Sequence, residues 1–147
     1  MKKIFTVLAI FALVLAGCGD KDTSDDGNGN GTTTGTTLTI KNTSDYNGME
    51  ISYGNVDFGT IARGGEAAKK VSEGTKYISI IFHSDFGERF LRVNEAITCE
   101  EGKNTQFTIS NNTVITIPGG YKGENKDETG SLKNIIDSML NYFREQE

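Results

Sequence analysis

The chain has no tryptophan, one proline, one histidine and two cysteines in 147 residues. Two cysteines cannot build a multi-bridge disulfide scaffold, and with a single histidine they cannot complete a four-ligand zinc site. Basic residues number 15 against 20 acidic ones, a formal net charge of −5, so the electropositive footprint of a nucleic-acid binder is missing. No apolar run reaches the roughly 20 residues that a membrane-spanning helix needs. Hydrophobic residues make up 35% of the chain, while glycine alone fills 18 positions. What remains is a small acidic chain with room for one domain and a modest core.

The front of the chain is unlike the rest. Lys2 and Lys3 precede an uncharged, mostly apolar run of 13 residues from Ile4 to Ala16. This is the pattern of a secretory signal, positive start and short apolar centre. The run ends in Leu15-Ala16-Gly17-Cys18. That string resembles the lipobox of bacterial lipoproteins, in which Leu and two small residues precede an obligatory Cys. The resemblance implies a signal peptide over 1–17, recognised through Leu15, Ala16 and Gly17 and cut before Cys18. It further implies a diacylglyceryl group on the Cys18 thiol, with a fatty acyl chain such as palmitate on the freed amino group. Two or three chains, at about 0.8 kcal/mol per buried methylene, exceed what stable anchoring requires. Loss of Lys2 and Lys3 takes the 15 basic residues to 13 against 20 acidic, a net of −7. Such a body is repelled by an anionic lipid surface rather than laid flat on it. Asp20 lies one place beyond the position next to Cys18 that holds some lipoproteins in the inner membrane, so the choice of membrane stays open.

Gly19 to Thr37 reads GDKDTSDDGNGNGTTTGTT, without a large apolar residue. It cannot bury enough surface to offset its ordering entropy, which predicts a lipidated, disordered tether over 18–37. Its mean span would be about 25 Å, and about 60 Å when pulled straight. Two strings inside it imitate ligand loops. Gly27 to Gly31 lacks the preceding strand and following helix of a phosphate loop. Asp22, Ser24, Asp26 and Gly27 open like a calcium loop, but the twelfth position is Thr33, where a bidentate Glu is required.

From Leu38 to Pro118 apolar residues recur with period two in short runs separated by Gly, Asn, Asp and Ser. The runs centre on Leu38–Ile40, Met49–Tyr53, Val56–Ile61, Ala67–Val71, Tyr77–His83, Leu91–Val93, Ile97–Cys99, Phe107–Ile109 and Val114–Ile117. Seven or eight strands at spacings near ten residues predict an all-β antiparallel sandwich, immunoglobulin-like in architecture, over 38–118, with a small barrel as the alternative. In the densest run, Ile78, Ile80 and Phe82 share one face and Tyr77, Ser79 and Ile81 the other, which predicts a central strand buried at least partly on both sides. The segment LTIKNTSDYNGMEISYGNVDFGTIARGGEAAKKVSEGTKYISIIF, Leu38 to Phe82, is similar to small spirochaete-type lipoproteins with one all-β domain. That likeness implies the architecture and no active site.

Residues 119–130 read as a polar linker, and 131–145 as an amphipathic helix capped by Ser131. Leu132, Ile136, Met139 and Phe143 form its seam. So short a helix is marginal alone in water and needs a surface. That surface is the sandwich itself, a partner or second copy, or, against the charge of Asp137, Glu145 and Glu147, a membrane.

Chemistry is sparse. His83 is the sole histidine, and its neighbours Ser84 and Asp85 point to other faces of a strand, so the three form no triad. Glu100-Glu101 and Asp25-Asp26 are adjacent pairs suited to solvation. Cys99 shares a face with Ile97 and reads as a small buried hydrophobe; the alternative is an exposed thiol open to an intermolecular disulfide. The expectation is therefore no catalytic residue, no metal and no cofactor. The chain reads as a lipid-anchored envelope protein, facing the periplasm or the cell surface, whose sandwich binds a protein or glycan. The alternative is a structural envelope component assembling through its C-terminal helix.

Overall fold

The computed structural model describes residues 35–147. The expected lipobox, Leu15, Ala16, Gly17 and Cys18, and the expected tether as far as residue 34 lie outside the described residues. Nine strands and one helix follow: β1 (Thr37–Asn42), β2 (Met49–Tyr53), β3 (Val56–Ile61), β4 (Glu66–Lys70), β5 (Gly74–Ser84), β6 (Gly87–Cys99), β7 (Asn104–Ile109), β8 (Val114–Ile117), β9 (Glu128–Ser131) and α1 (Leu132–Arg144).

The period-two runs become strands that bury alternate residues. Leu38 and Ile40 of β1, Met49, Ile51 and Tyr53 of β2, and Ile78, Ile80 and Phe82 of β5 point into one core. Leu91, Val93, Ile97 and Cys99 of β6 join them. A three-stranded sheet in the order β4-β1-β7 and a six-stranded sheet in the order β3-β2-β5-β6-β8-β9 make the two layers. The fold is a β-sandwich with a C-terminal helix, as the periodicity predicts. One pair in the smaller sheet runs parallel: β1 lies beside β7 from Thr37↔Asn104 to Asn42↔Ile109. Every other pairing is antiparallel.

Three local features depart from the sequence reading. Leu91–Val93 and Ile97–Cys99, two runs in sequence, are one 13-residue strand. A register shift against β5 joins them, with Val93, Asn94 and Glu95 opposite the single residue Ile78. The linker over 119–130 is ordered structure in part: Glu128–Ser131 is β9, paired with β8, and Tyr121 is buried. Gly120 allows the return, with φ +66°, and a Cβ there would stand 2.5 Å from the Lys126 carbonyl oxygen. The last tether residues belong to the sandwich. Thr36 is buried, its hydroxyl donating to the Glu100 carbonyl (3.2 Å) and accepting from the Gly102 N–H (3.0 Å), and Thr37 opens β1.

The outer face of β5 is partly buried, as its doubly apolar run predicts, but unevenly. Ser79 and Ile81 are half-buried there, while Tyr77 is 50% exposed.

The helix begins where its cap predicts. Ser131 is extended and its side chain accepts from the Asn134 N–H (3.4 Å). Leu132 and Lys133 donate their orphan N–H groups to Thr113 and Asn111 carbonyls (2.8 and 3.0 Å). Leu132, Ile135, Ile136 and Met139 are buried in the common core, so the helix docks on its own sandwich. It lies against β8 and β9, and Phe143 stacks on Phe86 with the Arg89 guanidinium 4.7 Å from its ring centre. Tertiary packing supplies the stability that 13 residues lack alone.

Candidate binding surface

The register of the six-stranded sheet arranges its outer side chains in rows. Ser52, Ser79, Arg92, Thr116 and Thr129 stand side by side across five strands. In the next row Glu50, Ile81 and Phe90 are neighbours, and beyond it His83 faces Glu88. These side chains point away from Ile80 and Leu91, because successive residues of a strand alternate between faces. The inner face is sealed, with Ile80 and Leu91 fully buried. The outer face is mixed: among its polar and charged side chains, Tyr77 and Phe90 are each half exposed, as is Val114 at its β8 side.

Two kinds of contact coexist there. The Arg92 guanidinium sits 5.6 Å from the centre of the Tyr77 ring, presenting a planar cation beside an aromatic surface. The Thr116 hydroxyl donates to Asn94 Oδ1 (2.8 Å) and shares a hydrogen bond with Thr129 (2.7 Å). Tyr and Arg are the types that most often anchor interfaces, since each combines apolar area with a directional polar group.

His83 closes one end of this face. Its Nε2 lies 3.3 Å from Glu50 Oε2 and its Nδ1 3.2 Å from Glu88 Oε1, three side chains from three adjacent strands. Ser84 is not part of that arrangement: its hydroxyl donates to the Gly87 carbonyl (3.0 Å) inside the β5–β6 turn. The sequence neighbours His83, Ser84 and Asp85 are therefore not assembled into a nucleophilic site. Cys99 is buried and has no disulfide partner among the described residues, and the Tyr53 hydroxyl, held between the Gly74 and Ile97 carbonyls (3.0 and 2.9 Å), lies beside it. Burial, then the neighbouring thiol, pushes that phenol well above its usual range.

The pole of the sandwich where β1 ends is laced by polar groups. Asn42 is fully buried and satisfied: its amide donates to the Tyr46 and Ile61 carbonyls (3.0 Å each), and its oxygen accepts from the Ser44 N–H (3.0 Å) and hydroxyl (2.7 Å). Asp45 and Asn111 exchange hydrogen bonds (2.9 and 2.8 Å), and Arg63 and Lys133 approach Asp45 at 3.7 Å. Tyr46 donates its hydroxyl to Asp137, fastening the β1–β2 loop to the helix. That hydrogen bond, followed by Lys133 at 3.1 Å, holds the Asp137 carboxyl below the usual carboxylate range, though partial burial works against it. Burial first, then Asp137, pushes the Tyr46 phenol upward. This network is structural cement between loop and helix.

Among the described residues, no group of three or more His, Cys, Asp or Glu side chains could hold a metal ion, and no helix is long and apolar enough to cross a membrane. Sequence reasoning placed Tyr77, Ser79 and Ile81 on one face but gave none of them a binding role. The available signal was the apolar character of Tyr77 and Ile81, which periodicity read as double burial because it cannot tell a covered face from an exposed one. Compared with known proteins, the chain matches no family model, and no curated protein is significantly similar to it in sequence.

Proposed function

We propose that this chain is a bacterial lipoprotein, anchored through lipid on Cys18 and displaying its β-sandwich as a non-catalytic interaction module in the cell envelope. The observation that carries the anchor is Leu15-Ala16-Gly17-Cys18 at the end of an uncharged run, with the folded domain starting only near Thr36. Signal peptidase recognition through Leu15, Ala16 and Gly17 follows from the same string. Support for binding over catalysis comes from the outer sheet face, where Tyr77, Ile81, Phe90 and Arg92 offer contact area that folding does not use. A protein or a glycan suits that chemistry, since both present apolar faces and hydrogen-bonding groups. The rival reading, assembly through the C-terminal helix, is weakened because the stripe it requires is packed in the chain's own core.

The anchor is tested by expressing the full chain and its Cys18→Ser variant in bacteria with labelled palmitate and partitioning the products with detergent. The parent is expected in the detergent phase carrying label, and the variant in the aqueous phase without it. A variant that remains in the detergent phase with unchanged mobility would overturn the reading. Protease treatment of intact cells then separates surface from periplasm.

A further inference from the structure

The four sheet edges are not guarded alike. β3 carries Asp57 and a register shift against β2, β9 is four residues long and runs into α1, and β4 carries Glu66, Lys69 and Lys70. Charge, bulges and brevity are the devices that stop an edge from recruiting another strand. β7, Asn104-Thr105-Gln106-Phe107-Thr108-Ile109, has none of them and, among the described residues, pairs with β1 alone.

The hydrogen-bond phase shows which groups of β7 are open. Thr37 and Thr43 donate backbone N–H to the carbonyls of Lys103 and Ile109 (3.1 and 2.8 Å). Along a parallel ladder, alternate residues turn both backbone groups to the same neighbour. Thr105 and Phe107 therefore face β1, and Gln106 and Thr108 hold their N–H and C=O groups to the open side. β8 pairs with β6 only at Arg92 and Val93, so β6 has an open flank from Asn94 onward. Between this flank and β7 lies a cleft of about 340 Å³. Val93, half-buried Phe107 and half-exposed Val114 give it apolar walls. Glu95 is the one charged residue lining it. It lies in the core phase of β6, between Val93 and Ile97, yet the register shift leaves it without a facing residue on β5 and it is exposed.

We propose that the open edge of β7 is a strand-acceptor site for an extended segment of a protein partner. The segment would set an apolar side chain against Val93, Phe107 and Val114 and a lysine or arginine beside Glu95. Main-chain hydrogen bonds to Gln106 and Thr108 supply affinity, and the cleft and its carboxylate supply specificity. This rests on the reading of the domain as an interaction module and gives that module a partner class.

The test uses the full chain in detergent micelles and a capped peptide of roughly eight residues, alternating Val and Thr with one Lys. Amide exchange by NMR is the readout. Saturating peptide is expected to slow exchange at Gln106 and Thr108 by about tenfold, with Thr105 and Phe107 unchanged, and a peptide with proline at alternate positions is expected to do nothing. Gln106→Pro removes an outward N–H without breaking a bond to β1, a position that an edge strand tolerates, and abolishes the protection. Glu95→Gln, which leaves the backbone alone, weakens the Lys peptide by about threefold and leaves a Gln-for-Lys peptide unaffected. No protection up to about 1 mM peptide overturns the proposal, as does protection at Ile81 and Phe90 instead. Concentration-dependent protection of the same amides without peptide assigns the edge to a second copy and likewise overturns it. None of these results touches the lipoprotein reading, which stands or falls on Cys18→Ser.

Discussion

Ile80 and Ile81 are adjacent in β5 and chemically the same, but Ile80 is fully buried between the layers while Ile81 is half-buried on the outer face beside half-exposed Phe90. Burying a side chain of this size completely is worth about 1.5–3 kcal/mol relative to leaving it in water. The inner face thus carries the stability of the sandwich. The outer face carries apolar area that contributes less to the fold and is free to meet something else. The same strand serves both ends because a period of two separates its faces.

This contrast can be broken by substitution. Ile80→Ala is expected to destabilise by about 2–5 kcal/mol, because it loses transfer energy and leaves a cavity in a packed core, and urea unfolding would measure it. A small loss there would mean that the layers are not tightly packed against each other. Next comes the polar interior. Asn42→Ala strands the Tyr46 and Ile61 carbonyls and the Ser44 N–H, for an expected cost of about 2 kcal/mol in the same assay. At the rim, Tyr46→Phe removes the donor to Asp137 and is expected to cost about 1 kcal/mol, since the pair is only partly buried. Because the folded state holds the Asp137 carboxyl below its unfolded range, the contribution is complete above about pH 4 and disappears as pH falls through the lower folded value. The difference between parent and Tyr46→Phe should therefore shrink in acid, as unfolding curves at pH 7 and pH 2–3 would show. The smallest effect is expected outside. Phe90→Ser should change stability by about 0.5 kcal/mol, and a loss comparable to Ile80→Ala would show that the outer face is part of the fold after all.

Most of the folded body was legible in local pattern. Leu38 and Ile40, Met49 to Tyr53 and Tyr77 to His83 alternate, and alternation is a property of a single strand. Ser131 as the cap and Leu132, Ile136 and Met139 as a buried stripe were readable for the same reason: residues four apart on a helix are neighbours whatever the rest of the chain does. β9 was not legible, because Glu128-Thr129-Gly130-Ser131 has no apolar alternation and is a strand only by pairing with β8. The continuity of β6 escaped as well, since three residues opposite Ile78 interrupt its periodicity. The candidate surfaces were the least legible of all. Tyr77 read as part of a strand buried at least partly on both sides, Phe90 gave no signal, and nothing about Gln106 or Thr108 in sequence says on which side their backbone groups will find a partner.

By itself, then, the sequence determined the phases of the strands and the position and buried stripe of the helix. These depend on residues within a few places of one another. Tertiary structure decided that β1 lies parallel to β7, that the helix completes the core, and that among the described residues the outer face of β5 is only partly covered and the β7 edge lacks the guards of the other three. Backbone donors and acceptors are nearly the same at every residue, so which strand meets which is set by how the layers close over their apolar faces, among segments as far apart as Thr37 and Asn104.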